Sequence, residues 1–133
     1  MSTNARIGIE LGGGQIVSAY HHWDGYPEWL GKTLKEHYNT RADVAELIDG
    51  GDMSVCWTDD TWRDSDGKMG KKDSFGPQYY SERGEDCPPK CSENLTEYLQ
   101  DMEEYAYIFN RMGEWICYRH DFDSETAVLT EIN

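Results

Sequence analysis

The densest concentration of side chains able to do chemistry is a ten-residue run, Tyr20-His21-His22-Trp23-Asp24-Gly25-Tyr26-Pro27-Glu28-Trp29. Histidine exchanges protons near neutral pH or ligates a metal, and a carboxylate such as Asp24 or Glu28 can orient its second ring nitrogen. A general acid/base pair on His21 or His22 would suit a small hydrolase or transferase acting on a nucleotide. Without turnover, the same histidines with Trp23, Tyr26 and Arg83 would stack on and clamp an anionic ligand. In an extended strand His21 and His22 face opposite sides, so the two cannot share one metal ion without a bend. The run also has a purely structural use, in which one histidine and Trp23 pack, Asp24-Gly25 turns the chain and Pro27 opens a helix.

Arg83-Gly84-Glu85-Asp86 is the second candidate. Arginine forms a bidentate fork with carboxylate or phosphate, and glycine lets the backbone approach a ligand closely. A strand at 78–83 returning beside the first hairpin would turn Arg83 and Glu85 toward the histidines. The expected ligand- or partner-binding set is therefore His21, His22, Trp23, Asp24, Tyr26, Glu28, Arg83 and Glu85. No catalytic residue and no cofactor is assigned.

Metal motifs are incomplete. Asp64, Asp66, Gly67 and Asp73 match four positions of a calcium loop, but Trp62 stands at its first ligand position and Lys68, Lys71 and Lys72 offset the charge. Cys87 and Cys91 have a ligand-compatible gap, yet Cys56 and Cys117 form no second close pair, so no metal is expected. Gly12-Gly13-Gly14 precedes another strand and lacks the lysine of a phosphate loop.

The positioning elements follow from periodicity. Strands at 6–11 and 15–23 form a hairpin across the glycines, and a helix from Pro27 to about Tyr38 buries Leu30 and Leu34. Thr40 with Asp43 caps a second helix carrying Val44, Leu47 and Ile48 inward. A short strand is expected at 54–57, a long surface loop at about 58–76, and irregular chain at 84–92 around Pro88-Pro89. Asn94 with Glu97 caps a third helix whose Leu95, Tyr98, Leu99 and Met102 form an inward stripe. A second hairpin, 105–110 with 114–118, places Tyr105, Tyr107 and Phe109 on one face. The expectation is one α+β domain, mainly antiparallel from two hairpins, with three short helices on one side.

Tyr20 to Glu28, then Gly31, Leu34, Tyr38, Leu47-Ile48, Gly51-Asp52-Met53-Ser54, Arg83 to Asp86, and the late Glu104-Tyr105-Ala106-Tyr107 and Gly113-Glu114-Trp115, resemble a widespread set of small uncharacterised phage and bacterial proteins. Its His-Trp-Asp-Gly-Tyr-Pro string is the most specific part. The resemblance implies context: an accessory protein in a bacterial cytoplasm, in host takeover or counter-defence, with no mechanism attached.

Charge narrows the partner. The chain has 133 residues, 26 Asp plus Glu against 12 Lys plus Arg, and a net charge of -14. Such a field repels phosphate backbones and anionic lipid, which argues against nucleic-acid and membrane-surface binding. Five Trp and nine Tyr argue for a folded core, and surface scaling allows about two thirds of the chain's surface to be buried. No run reaches the 18 apolar residues of a membrane span, residues 1–6 carry no hydrophobic signal, and the four cysteines are expected as reduced thiols. Glu93, Glu97, Asp101 and Glu104 form an anionic helix stripe, with Glu103 adding to it, that could complement a basic protein site as nucleic acid does. A host protein or small anionic ligand in the cytoplasm is the expected partner. Oligomeric state is not legible.

Overall fold

The computed structural model describes residues 3–23, 25–57, 61–63, 69–71, 76–84, 87–100, 102, 104–121, 123–130 and 132; at 55, 57, 61–63, 69–71, 76–78, 82 and 83 the description is of the backbone alone. Alternation of apolar residues makes β1 (Ala5–Glu10) a strand with Ala5, Ile7 and Ile9 buried on one face. It pairs antiparallel with β2 (Ile16–His21), and the turn closes with Gly14 N–H donating to the Leu11 carbonyl at 3.0 Å. A second hairpin joins β8 (Tyr105–Phe109) to β9 (Trp115–Asp121). Its turn is held by the Asn110 side-chain oxygen, which accepts from the Met112 and Glu114 N–H groups, each at 3.0 Å. The two hairpins meet through parallel pairing of β1 with β8, from Ala5 opposite Tyr105 to Ile9 opposite Phe109.

Around this centre the sheet extends both ways. β10 (Thr126–Thr130) pairs with β9 at one end. At the other, β3 (Met53–Trp57) meets β2 in parallel at His21 opposite Met53, and β6 (Gly76–Tyr79) pairs antiparallel with β3. The order is β10-β9-β8-β1-β2-β3-β6. β7 (Lys90–Ser92) adds to β2 at Ile16 to Ser18, so a segment expected to be irregular supplies a short strand. Within 58–76, expected as loop, β4 (Thr61–Arg63) and β5 (Met69–Lys71) pair in a separate two-stranded sheet. Five of the seven pairings in the main sheet are antiparallel and two parallel, in keeping with an α+β class.

The helices cover both faces rather than the single face expected. A π-helical turn at Pro27–Gly31 runs into α1 (Lys32–His37), and α2 (Arg41–Asp49) follows with the Thr40 hydroxyl accepting from Asp43 N–H at 3.1 Å. Leu30, Leu34, Val44, Leu47 and Ile48 bury against Ile7, Ile9, Tyr107 and Phe109 on the first face. Strand alternation leaves Ala106 and Ile108 on the opposite face of β8, an apolar patch that also needs cover. α3 (Leu95–Gln100), capped by the Asn94 side-chain oxygen accepting from Glu97 N–H at 2.9 Å, supplies it through Tyr98, with Met102 beyond the helix. Gly8 makes room for that ring: a Cβ there would lie 3.1 Å from the Tyr98 hydroxyl and 2.7 Å from Ile16. Leu95 departs from the expected inward stripe and is 39% exposed.

Gly51 is the tightest backbone crossing. Its φ is +85°, and a Cβ would sit 2.0 Å from the Cys87 carbonyl oxygen, which accepts from Asp52 N–H at 2.9 Å. Gly14 shares the left-handed backbone, φ +89°, but has open space around it. Gly51→Ala is therefore expected to cost about 3 kcal/mol and Gly14→Ala only about 1, because only the first adds a clash with main chain to the conformational cost. Thermal midpoints should fall by roughly 10 °C and 3 °C respectively. Equal shifts would show that the crossing relaxes.

Candidate functional site

The His-Trp-Asp-Gly-Tyr-Pro string lies where β2 leaves the sheet. Beyond the paired part of β2 its backbone continues along β3: His22 N–H donates to the Met53 carbonyl at 3.2 Å and Trp23 N–H to the Ser54 carbonyl at 2.9 Å. Upstream, Tyr20 N–H donates to Asp52 Oδ1 at 2.9 Å. Gly25 N–H donates to the Thr3 carbonyl at 2.8 Å, and the Gly25 carbonyl accepts from the buried Tyr107 hydroxyl at 2.7 Å. Tyr26, extended at φ -77° and ψ 159°, then offers its carbonyl to the N–H groups of Trp29 and Leu30, which starts the π-helical turn. The string is thus fastened to β3, the N-terminal segment and β8 through main-chain groups that would otherwise be left unpaired.

The two histidines do face opposite sides. His21, fully buried, accepts from Cys56 N–H at Nε2 over 2.8 Å. An acceptor nitrogen must be unprotonated, so the ring proton sits on Nδ1, which meets no hydrogen-bond partner among the described residues. Burial, reinforced by His22, lowers the His21 pKa to about 3, and the ring is neutral at physiological pH. It therefore serves as a fixed acceptor. His22, half-buried, shares its Nδ1 with the Tyr20 hydroxyl at 2.8 Å and meets Trp23 edge-on, with ring centroids 4.7 Å apart. Glu28 and Trp29 are exposed on the π-helical turn, and Tyr26 is half-buried.

Not all of the expected set comes together. Asp24 and Glu85 lie outside the described residues, and Arg83 is described as backbone only, closing a 3-10 turn (Tyr80–Arg83) before Gly84 at φ +84°. That turn is tied to the residue just before β3 by Tyr80 N–H donating to the Asp52 carbonyl at 3.1 Å, the same Asp52 whose side chain holds Tyr20. The sequence reading omitted the groups that complete the setting. Cys56 lies beneath His21, with the Tyr38 hydroxyl hydrogen-bonded to its thiol; burial pushes Cys56 up to about 12 and raises Tyr38 as well. Tyr107 could have been found, since the alternation of β8 already directs it to the first face. Cys56 carried no such signal.

Two clefts stand out among the described residues. One, about 460 Å³, lies between α2 and the β1–β2 hairpin, with Arg41 and Asp49 at its rim and Ile9, Val17 and Ile48 within. The other, about 480 Å³, lies between α3 and the β9–β10 edge. No described residue of the 20–29 string lines either. Among the described residues no three His, Cys, Asp or Glu side chains converge in a way that could hold a metal ion. The four cysteines are free thiols; Cys56 and Cys117 are buried and Cys91 is exposed. The residues of the candidate calcium loop, Asp64, Asp66, Gly67 and Asp73, lie outside the described side chains. Compared with protein-family models, with curated proteins and with solved structures, the chain matches none.

Acid tests the assignment of His21. Its folded pKa is depressed from 6.5 to about 3, so the stability it supports is complete above pH 6.5 and drains away as the pH falls toward 3. Between pH 7 and pH 5 this one group should remove about 2 kcal/mol, at about 1.4 kcal/mol per unit below 6.5. His21→Gln keeps an acceptor without a titration in this range. Urea unfolding at the two pH values should show the variant losing about 2 kcal/mol less than the parent chain. An unchanged pH dependence would mean that His21 is not sealed in the folded state.

Proposed function

We propose that this protein is a phage-type accessory protein that acts by binding a host protein in the bacterial cytoplasm, in host takeover or counter-defence. The resemblance of its His-Trp-Asp-Gly-Tyr-Pro string to small phage and bacterial proteins supplies the context. The observation that carries a binding rather than a catalytic reading is His21 itself. It is buried, neutral and consumed as the acceptor for Cys56 N–H, while the described residues of the string around it make main-chain hydrogen bonds and line neither cleft. The competing reading, a nucleotide-directed hydrolase or transferase using His21 or His22 with Asp24 and Glu28, has less support. A general base must reach the proton it abstracts, and His21 is enclosed. What this segment offers outward is Trp29, 42% exposed, beside the carboxylate of Glu28.

Charge favours a protein with a basic surface over a small anion. With a net charge of -14, an anionic ligand would be repelled on approach, whereas a basic surface would be drawn in. Among the described residues no helix is long and apolar enough to cross a membrane. Affinity capture from bacterial lysate at two salt concentrations tests the proposal. A specific host protein with a basic surface should be retained at about 50 mM salt and largely released at about 500 mM, where screening shortens the electrostatic range to a few ångströms. Absence of specific capture, or conversion of cellular nucleotides by the purified chain, would overturn it.

A further inference from the structure

Two apolar side chains are left exposed on β10 and α3, the elements that border the second cleft. Leu129 on β10 is 68% exposed, and Leu95, one turn before Leu99 on α3, is 39% exposed. β10 pairs with β9 alone and ends the strand order, so among the described residues one edge of its backbone has no strand beside it. The cleft of about 480 Å³ opens on the α3 face of that edge, with Leu99, Met102 and Ala127 as its apolar floor and Glu125 and His120 at the rim. Strand periodicity puts Leu129 on the same face as Ala127. Burial thus stops where the sheet stops: α3 covers Ala106 and Ile108 but leaves the outer strand's apolar face open.

We propose that the β10 edge, together with the cleft between it and α3, binds an extended strand of a basic partner protein; the choice of a protein partner rests on the function proposed above. A strand added beside β10 would lie about 4.8 Å out and project alternate side chains toward the cleft face, where Leu129 and the cleft floor receive apolar groups. Hydrogen bonds along the edge give affinity and the alternate side chains give selectivity. Complementarity fixes the sign of the partner. Among the described residues the lining side chains include Glu125 and no Lys or Arg, and the chain as a whole carries a net charge of -14. A second copy of the chain is the poorer occupant, since each would bring its own charge of -14.

Labelled peptides make the test direct. The probe is a capped Lys-Val-Thr-Val-Thr-Val-Lys peptide, compared with the twin carrying Glu at both ends and with two versions N-methylated at alternate residues along one edge or the other. Fluorescence anisotropy with the full chain should show the lysine peptide binding at least tenfold more tightly than the glutamate twin. One N-methylated version should lose binding and the other keep it, because only one edge of the peptide faces β10. Leu129→Ser, at an exposed position and checked for an unchanged melting profile, should weaken binding about tenfold. No binding by the lysine peptide, equal binding of the two N-methylated versions, or an unchanged affinity in Leu129→Ser would each overturn the site. Lysate capture separates this from the broader reading. A host protein held equally by the parent chain and Leu129→Ser refutes the edge and leaves the accessory function standing, whereas edge-specific peptide binding without any captured protein does the reverse.

Discussion

Tyr107 joins the layers of this protein. A buried hydroxyl and a buried carbonyl each lose water on folding, so a bond between them is worth less for its own strength than for the penalty of leaving it unmade. The Tyr107 side chain donates to the Gly25 carbonyl on the first face, while its main-chain carbonyl accepts from the Tyr98 hydroxyl at 2.8 Å, bringing in α3 from the other. Around the same ring the backbone closes in: a Cβ on Gly31 would lie 3.3 Å from it. The π-helical turn, the string before it and α3 therefore depend on one residue of β8. β8 also pairs in parallel with β1, which brings residues about a hundred positions apart into register beside these contacts.

His21 answers a local shortage of acceptors. β3 pairs with β2 only at Met53, and a register shift between Met53 and Val55 disturbs its pairing with β6. Cys56 N–H then finds no strand carbonyl on the β2 side, and the His21 ring takes that place. A neutral imidazole does this without bringing a charge into the core, at the cost of an Nδ1 that finds no partner among the described residues. The raised pKa values of Cys56 and Tyr38 have the same cause, removal from water, so this group of titratable side chains is chemically quiet. His21, one of the candidate acid/base residues in the sequence, lies in the fold within a buried hydrogen-bonded seam with Cys56 and Tyr38.

Local signals in the chain were legible and non-local ones were not. Alternation marked both hairpins, and the side-chain caps at Thr40 and Asn94 marked the starts of α2 and α3, because these depend on neighbours within a few residues. β7 escaped because three residues after a proline pair carry almost no pattern, and the reason they form a strand is the free edge of β2 at Ile16 to Ser18. The opposite orientations of His21 and His22 followed from strand geometry, but which of them faced the core depended on β3, packed in parallel from thirty residues downstream. The inward stripe predicted for α3 held for Tyr98 and Met102 and failed at Leu95, the first residue of the helix, which is left outside the cluster that Tyr98 and Met102 form with Ile16, Ala106 and Ile108.

That mismatch bears on how an acidic chain can be selective. Acidity alone draws every basic surface, and at physiological salt its reach is only about 8 Å. Selectivity needs a short-range feature that a partner must fit, and among the described residues the exposed large apolar side chains are Trp29 on the π-helical turn, Leu95 on α3, Met112 in the β8–β9 turn and Leu129 on β10. An open sheet edge is ordinarily a hazard, because it pairs with any extended chain. A highly anionic protein suppresses the commonest such event, pairing with itself, by repulsion between copies. A charge that opposes pairing between copies would at the same time attract a strand of opposite sign, so acidity and an edge with no strand beside it among the described residues are compatible with one another.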